Sequence, residues 1–391
     1  MKYLWTFTII RKKLLYSFSQ YIDITTYILV ALFAVALIIQ LVYYYGIFIR
    51  IGAYKRAPQL KKFPISVIIC ARNEAENLKK NLPAVLTQKH ENYEVIVVND
   101  CSTDHTDDVL GELLKKFRHL RTTNISPDKK FTHGKKLAVT VGIKAAKYEW
   151  LVLTDADCHP VSENWLERLQ ENFTDRTDIV LGYGGYLPLK GLLNKYIRYD
   201  TLLIAMQYFS FALMGIPYMG VGRNLAYRKS LFFNKKGFAS HYGLLSGDDD
   251  LFVNENATRD NTAVEFHPES HTRSIPKIKW SEWFKQKKRH ITTSRFYKPR
   301  HIFLLGLEPW SRLLFYISFC YLIVLKIWVP YIIIAFIIRL ISVQIISKIA
   351  MRRFSELNLL MWIPVFDLFA LMINFNIFIS GIFRSKKSRW K

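Results

Sequence analysis

Cysteine is sparse in this sequence and unpaired. The four thiols, Cys70, Cys101, Cys158 and Cys320, form no CxxC pair and have no histidine at metal-ligand spacing. That pattern excludes a zinc ribbon or a disulfide framework and points to a reduced compartment, and no chemistry is assigned to the thiols. Charge is absent from Tyr27 to Ile49. This stretch is long enough to cross about 30 Å of hydrocarbon as a helix, with Tyr43, Tyr44 and Tyr45 near one end as interfacial rings. No small-residue cleavage site follows it, so it reads as a retained transmembrane helix and not as a signal segment. Acidic residues are the third shortage, with 31 Asp and Glu against 55 Lys and Arg and a formal charge of +24. The basic residues sit beside apolar segments, at Arg50, Lys55, Arg56, Lys61, Lys62 and the tail 384–391. Nucleic acid is therefore not the expected partner, since it needs basic residues interleaved with exposed aromatics on a soluble face. Anionic lipid headgroups, phosphate-bearing substrates and the positive-inside rule account for the placement, and each puts the long middle segment in the cytoplasm.

That middle segment alternates strand and helix signals. ISVIICA (65–71) and YEVIVV (93–98) are continuous apolar, β-branched runs that read as buried parallel strands. Helical spacing follows each: Leu78, Leu82, Val85 and Leu86 around Pro83, then Val109, Leu110, Leu113, Leu114 and Phe117 after the cap Ser102-Thr103-Asp104. A further helix over 134–147, with Leu137, Val141 and Ala145 inward, leads to the strand WLVLT (150–154). This order predicts an α/β, Rossmann-like, doubly wound sheet whose ligands sit off the carboxyl ends of the strands. The expected divisions are an N-terminal segment 1–26, a transmembrane helix 27–49, a basic linker 50–63 and a cytoplasmic domain 64–275. An interfacial amphipathic segment 276–308, two or three membrane segments within 309–383 and the basic tail 384–391 complete the chain.

Polar residues appear where the strand-end rule places them. Arg72-Asn73-Glu74 follows the first strand and Asn99-Asp100 ends the second. Asp100 can accept hydrogen bonds from a ribose or base, or else form a turn with Ser102. Asp155 and Asp157, one residue apart after an apolar strand, can offer hard oxygens to Mg2+ or Mn2+. Lys135 stands at a helix start where amides and an ammonium can meet phosphate, a surface lysine being the plain alternative. In Gly247-Asp248-Asp249-Asp250 three acids abut Leu251-Phe252-Val253, and one of them is a candidate general base. Gln286, Arg289 and His290, with Lys287 and Lys288, form a polar cluster suited to a diphosphate or an acceptor phosphate.

In order, ISVIICARNEAENL, EVIVVNDCSTDHT, GKKLAV, LVLTDADC, GVGRNLAYRK, SGDDDLF and QKKRH resemble the membrane-bound family 2 glycosyltransferases. That group includes ceramide glucosyltransferase-like enzymes and synthases of extracellular polysaccharides. The resemblance covers about Pro64 to His290. It implies an A-type glycosyltransferase fold, inversion at the anomeric carbon, a UDP- or GDP-sugar donor, and a lipid or lipid-linked acceptor. Ala71, Arg72, Asn73, Glu74, Asp100, Lys135 and Asp155 would hold the donor, and Asp155 and Asp157 the metal. The family's ED pair matches Asp248 and Asp249, the second carrying the base, and its QxxRW matches Gln286 to His290. His290 in place of the tryptophan weakens the processive-synthase reading and favours single addition. The extra Asp250 leaves the register open: counting from Gly247 selects Asp249, counting back from Leu251 selects Asp248. A sugar-binding pseudoenzyme is the remaining alternative, although every acidic block is present.

Overall fold

The computed structural model describes residues 24–55, 61–126, 134–244 and 246–382. The first 23 residues, part of the expected linker and the basic tail lie outside them. Two compact units are present: Met1–Gly46 with Phe303–Ile346, and Ile47–Ile302 with Ser347–Lys391.

The second unit holds the sheets. Strands β1 (Ile65–Ala71), β2 (Tyr93–Asp100), β3 (Leu120–Ile125) and β4 (Trp150–Asp155) pair in parallel in the order β3-β2-β1-β4. Ile68 stands opposite Ile96 on one side and Leu153 on the other. β1, β2 and β4 are buried almost throughout, as unbroken apolar composition requires of strands covered on both faces. Helix Ala75–Leu86 buries Leu78, Leu82, Val85 and Leu86 and carries Pro83 inside it. Two expected inner faces are corrected. On helix Thr106–Lys116, Leu110 and Leu113 are buried while Leu114 is exposed. On helix Lys135–Ala145 the buried residues are Lys136, Ala138, Val139, Gly142 and Ile143, a face turned round from Leu137, Val141 and Ala145. Gly142 supplies the reason: a Cβ there would meet Ile68 Cγ2 at 2.6 Å and Val98 Cγ2 at 3.1 Å, so the helix beds onto the sheet along its smallest face.

The chain continues through β5 (Cys158–Pro160), β6 (Ile179–Gly182), β7 (Gly184–Tyr186), β8 (Leu225–Arg228), β9 (Thr262–Glu265) and β10 (Thr272–Ser274). The main sheet has the order β3-β2-β1-β4-β8-β6-β9 and is mixed, where strand–helix alternation predicts parallel pairing. β8 runs antiparallel to both β4 and β6, with Leu225 beside Leu153 and Leu181. The connection from β6 to β8, which includes helix Leu192–Leu213, starts and finishes at the same end of these antiparallel strands. The loop Gly220 to Asn224 is thereby delivered to the carboxyl end of β4. A small second sheet, β5-β10-β7, pairs Ser274 with Cys158 and with Tyr186.

Four helices, Ile24–Ala53, Pro299–Val324, Val329–Phe354 and Leu357–Ile377, are long and apolar enough to cross a membrane by length and composition. Their ends shift two expected borders. The first helical span passes through a π-helical stretch, Val42–Phe48, and runs on through Arg50 to Ala53, one charged side chain being no barrier to helical backbone. The border expected at 309 lies inside helix Pro299–Val324, since Pro309 interrupts the ladder at one turn only. In the first unit, buried polar groups meet within the apolar helices. Gln40 Nε2 donates to Glu308 O and to Ser311 Oγ, both at 2.9 Å, and Gln40 Oε1 accepts from Arg339 Nη2 at 2.9 Å. Arg312 lies 3.2 Å from Glu308. Each pairing removes a desolvation cost that an apolar setting imposes.

Candidate active site

The loops after β1 and β2 are stapled to each other. Asn73 and Cys101 both adopt left-handed φ of 56°, a conformation that costs a non-glycine residue energy unless its surroundings hold it. The holding bonds are explicit. Asn73 N donates to Ser102 Oγ at 2.9 Å, and Asn73 Oδ1 accepts from Thr103 N at 2.8 Å. Glu74 N donates to Thr106 Oγ1 at 3.1 Å and Ala75 N to Asp104 Oδ2 at 3.1 Å. Asp104 therefore serves the helix after β1 as well as its own. Asn99, and not Asp100, accepts from Ser102 N, at 3.3 Å. Asp100 is wholly buried, with Arg72 Nη1 3.9 Å from its Oδ2. Ala71 is buried at the strand end, and Arg72 and Glu74 are half-buried beside it.

Across the same sheet edge the acids converge. Lys135, at the start of its helix, places Nζ 2.8 Å from Asp155 Oδ1 and 3.1 Å from Asp248 Oδ2. Burial opposes its charge, but the carboxylates of Asp155, Asp248 and Asp249 outweigh that and hold it protonated. Burial raises Asp155, yet Lys135, with Arg223 and Arg289 further off, brings it below the ordinary carboxylate range. Asp157 is displaced the other way by burial and by the charge on Asp155. Ligand atoms of Asp155, Asp157 and Cys158 lie within 4.8 Å of one another. Two hard oxygens and a repulsion that a cation would relieve fit a divalent metal there. Cys158, which carried no expectation, comes to this position because β5 begins one residue after Asp157.

The acid run divides its roles by position. Asp249 caps helix Asp250–Asn256, and its Oδ2 accepts from Gly222 N at 2.6 Å. A Cβ on Gly222 would sit 3.3 Å from both Asp249 Oδ2 and Lys135 Nζ, tight enough that these side chains would have to give by a few tenths of an ångström. Burial, then the charges of Asp248 and Asp250, push Asp249 up to about 7, against the lowering effect of Lys135 and the Gly222 amide. Asp250 turns away and accepts from Thr293 Oγ1 and from Tyr297 Oη. Asp250 is thus bonded to Thr293 and Tyr297, Asp248 is buried against Lys135, and Asp249 is half-buried with an elevated pKa.

Helix Trp280–Ser294 contributes the remaining expected residues. Gln286 Nε2 lies 3.5 Å from Tyr186 Oη. Arg289 is half-buried and its charge reaches Asp155; its Nε is buried with no hydrogen-bond acceptor among the described residues. His290 is exposed, within electrostatic reach of Arg223 and Lys135. Lys287 turns elsewhere, forming a buried pair with Asp200 that fixes the rotation of the helix. Arg223 carried no expectation. Its guanidinium stacks 4.5 Å from the Tyr186 ring centre and hydrogen bonds to Ser274 Oγ at 3.3 Å. Its signal was its place in GVGRN, an arginine beside glycines at the entry to a strand.

Residues 66–232 match the model of glycosyl transferase family 2. An uncharacterized glycosyltransferase of Haemophilus influenzae is 26% identical over 125 residues, 32% of this chain and 37% of its own length. The poly-beta-1,6-N-acetyl-D-glucosamine synthase of Staphylococcus epidermidis is 32% identical over 93 residues, 24% of this chain and 21% of its own. The chain thus spans 37% and 21% of the length of these curated relatives. Among solved structures, a mannosyltransferase of Pyrobaculum calidifontis in complex with GDP-Man and Mn2+ superposes with a TM-score of 0.57. The match covers 88% of this chain and 98% of that one at 17% identity, and shows a shared fold.

Proposed function

With residues 66–232 forming a family 2 glycosyltransferase domain, we propose that this chain transfers a sugar, with inversion, from a UDP- or GDP-sugar to a lipid or lipid-linked acceptor at the cytoplasmic face of a membrane. One observation carries the reading: Lys135, Asp155, Asp248 and Asp249 converge at the carboxyl edge of the sheet, while the third acid of the run is withdrawn into structure. The stapled loops bearing Arg72 to Glu74 receive the nucleotide, with Ala71 and Asp100 shaping the floor beneath. A Mg2+ or Mn2+ ion on Asp155 and Asp157 would neutralise the diphosphate. Lys135, Arg223 and Arg289 supply further positive charge to the leaving group. Gln286 and His290 line the acceptor side.

Asp249 removes the proton from the acceptor hydroxyl. The acceptor oxygen then bonds to the anomeric carbon as the bond from that carbon to the diphosphate breaks on the opposite face. The sugar is transferred, the nucleoside diphosphate departs, and Asp249 is left protonated until it returns the proton to solvent. Asp248, paired with Lys135, orients Asp249 and the acceptor. The four apolar helices and the basic residues flanking them support a multi-pass chain in contact with anionic lipid.

The test is to incubate the full chain in detergent with a panel of UDP- and GDP-sugars, with and without lipid acceptor, and measure nucleoside diphosphate release and product length. One sugar per acceptor is expected. Polymeric product would select the processive alternative, and no release or transfer from any donor would sink the transferase reading.

A further inference from the structure

The turn that follows the third apolar helix reaches back into the sheets. Helix Val329–Phe354 ends with Ser355 in the left-handed region at φ 59°, and Glu356 N bonds to Met351 O at 2.9 Å. This is a helix C-terminal motif that turns the chain sharply and aims the Glu356 side chain inward. Glu356 is wholly buried between two guanidiniums. Arg198 Nε donates to it at 2.8 Å, Arg273 forms a second ion pair, and Tyr183 Oη lies 3.3 Å away. Arg198 also holds Asn358 at 2.7 Å, and Arg273 Nη2 donates to Phe354 O at 2.9 Å.

A carboxylate shared by two buried arginines is an expensive arrangement. Replacement by apolar groups is often neutral or stabilising, so such a trio is a poor device for stability alone. What it fixes is visible from Arg273. That residue lies on β10, Nη1 3.3 Å from Tyr186 O, and the next residue, Ser274, pairs with Cys158 and holds Arg223. Tyr186 in turn carries the Arg223 guanidinium on its ring and meets Gln286. A continuous path therefore runs from Glu356 through Arg273 to Tyr186 and Arg223, beside the strand that begins after Asp157.

We propose that Glu356 is a positioning residue: through Arg273 it fixes Tyr186 and Arg223 against the acid pair, coupling the turn at 355–356 to sugar transfer. The inference rests on the transferase reading for its kinetic part only. Glu356→Gln keeps the shape and removes the charge. Turnover should fall about 10- to 100-fold, as small misplacements remote from the chemistry do, while UDP and GDP affinity stay within about threefold. Glu356→Asp, which restores the charge, should recover most of the lost turnover. Hydrogen exchange should rise in 184–186 and 272–274 and stay constant in β1 and β4. Should Glu356→Gln fail to fold, Arg273→Lys, which keeps a cation against Glu356 but loses the fork reaching Tyr186, should show the same split. Wild-type turnover with unchanged exchange in the small sheet overturns the proposal. So does a loss of nucleotide affinity in step with turnover that Glu356→Asp shares, which would mark a merely structural role. If the wild-type chain releases no nucleoside diphosphate, the transferase reading fails and the exchange comparison alone decides the coupling.

Discussion

The two sides of the sheet edge are organised by different physics. On the side of β1 and β2, Asn73, Ser102, Thr103 and Asp104 are joined by hydrogen bonds that leave few groups waiting for a partner. On the side of β4 and helix Asp250–Asn256, carboxylates crowd around one lysine, with Asp155 lowered and Asp157 and Asp249 raised. The first side is a pair of loops held in shape by their own hydrogen bonds, the place where the proposed function seats the nucleotide. The second is a charge balance in which Lys135 pairs with Asp155 and Asp248, and which the proposed phosphate and cation would join. On the proposed function the nucleotide is held by the first side and the reacting groups by the second, so substitutions on the two should separate affinity from turnover.

The largest separation should come from Asp155 and Asp157, the proposed metal ligands. Excess EDTA, or Asp157→Ala, should bring turnover to background, while the thermal unfolding of the chain in detergent changes little. Robust transfer under chelation would show that Lys135, Arg223 and Arg289 suffice for the diphosphate. Next in size is Asp249→Asn, which should retain nucleotide-sugar affinity and lose about 10²–10⁴ in kcat, the range expected for removing a general base. A nearly active Asp249→Asn beside an inert Asp248→Asn would move the base to Asp248 and break the assignment.

How much of this was legible beforehand also differs between the sides. The strands β1, β2 and β4 announce themselves because both faces are buried, so composition alone carries the signal. Asp155 and Asp157 are found by the strand-end rule, which depends only on where the apolar run stops. The direction of β8 is invisible, since a four-residue strand carries no signal of which way it will pair, and with it went the placement of Arg223. The acid run left Asp248 and Asp249 unresolved because the deciding partners of Asp250, Thr293 and Tyr297, are more than 40 residues away in sequence. Glu356 carries no local signal, because its partners Arg198 and Arg273 lie 158 and 83 residues away in sequence.

A pH profile sharpens the comparison at intermediate size. The base acts only when ionised, and Asp249 is pushed up to about 7. kcat/KM should therefore fall as pH drops below about 7, approaching tenfold per unit, where an ordinary aspartate near 3.9 would stay active well into acid. Lys135 lowers Asp249 by its charge, so Lys135→Met should shift the acid limb to higher pH. An unmoved limb in that variant, or a flat profile down to pH 5 in the wild type, would detach Asp249 from the proton transfer.

The smallest effect belongs to the rigid side and tests whether the two are independent. Ser102→Ala removes the acceptor of the Asn73 amide, one of the bonds holding Asn73 in its left-handed conformation. The loop is exposed, and Asn73 keeps its side-chain bond to Thr103 N. The loss should then be that of one neutral hydrogen bond, about 0.5–1.5 kcal/mol. Read as donor affinity, this is a weakening of about 2- to 10-fold, since 1.4 kcal/mol corresponds to tenfold. Turnover at saturating donor should be unchanged, because the hydrogen bonds of Ser102 run to Asn73 and Asn99 and not to the acid side. Nucleotide titration by calorimetry and initial rates at saturating donor separate the two quantities. A fall in kcat comparable to the fall in affinity would mean that the loop after β2 reaches the chemistry, and the division between a binding side and a reacting side would have to be given up.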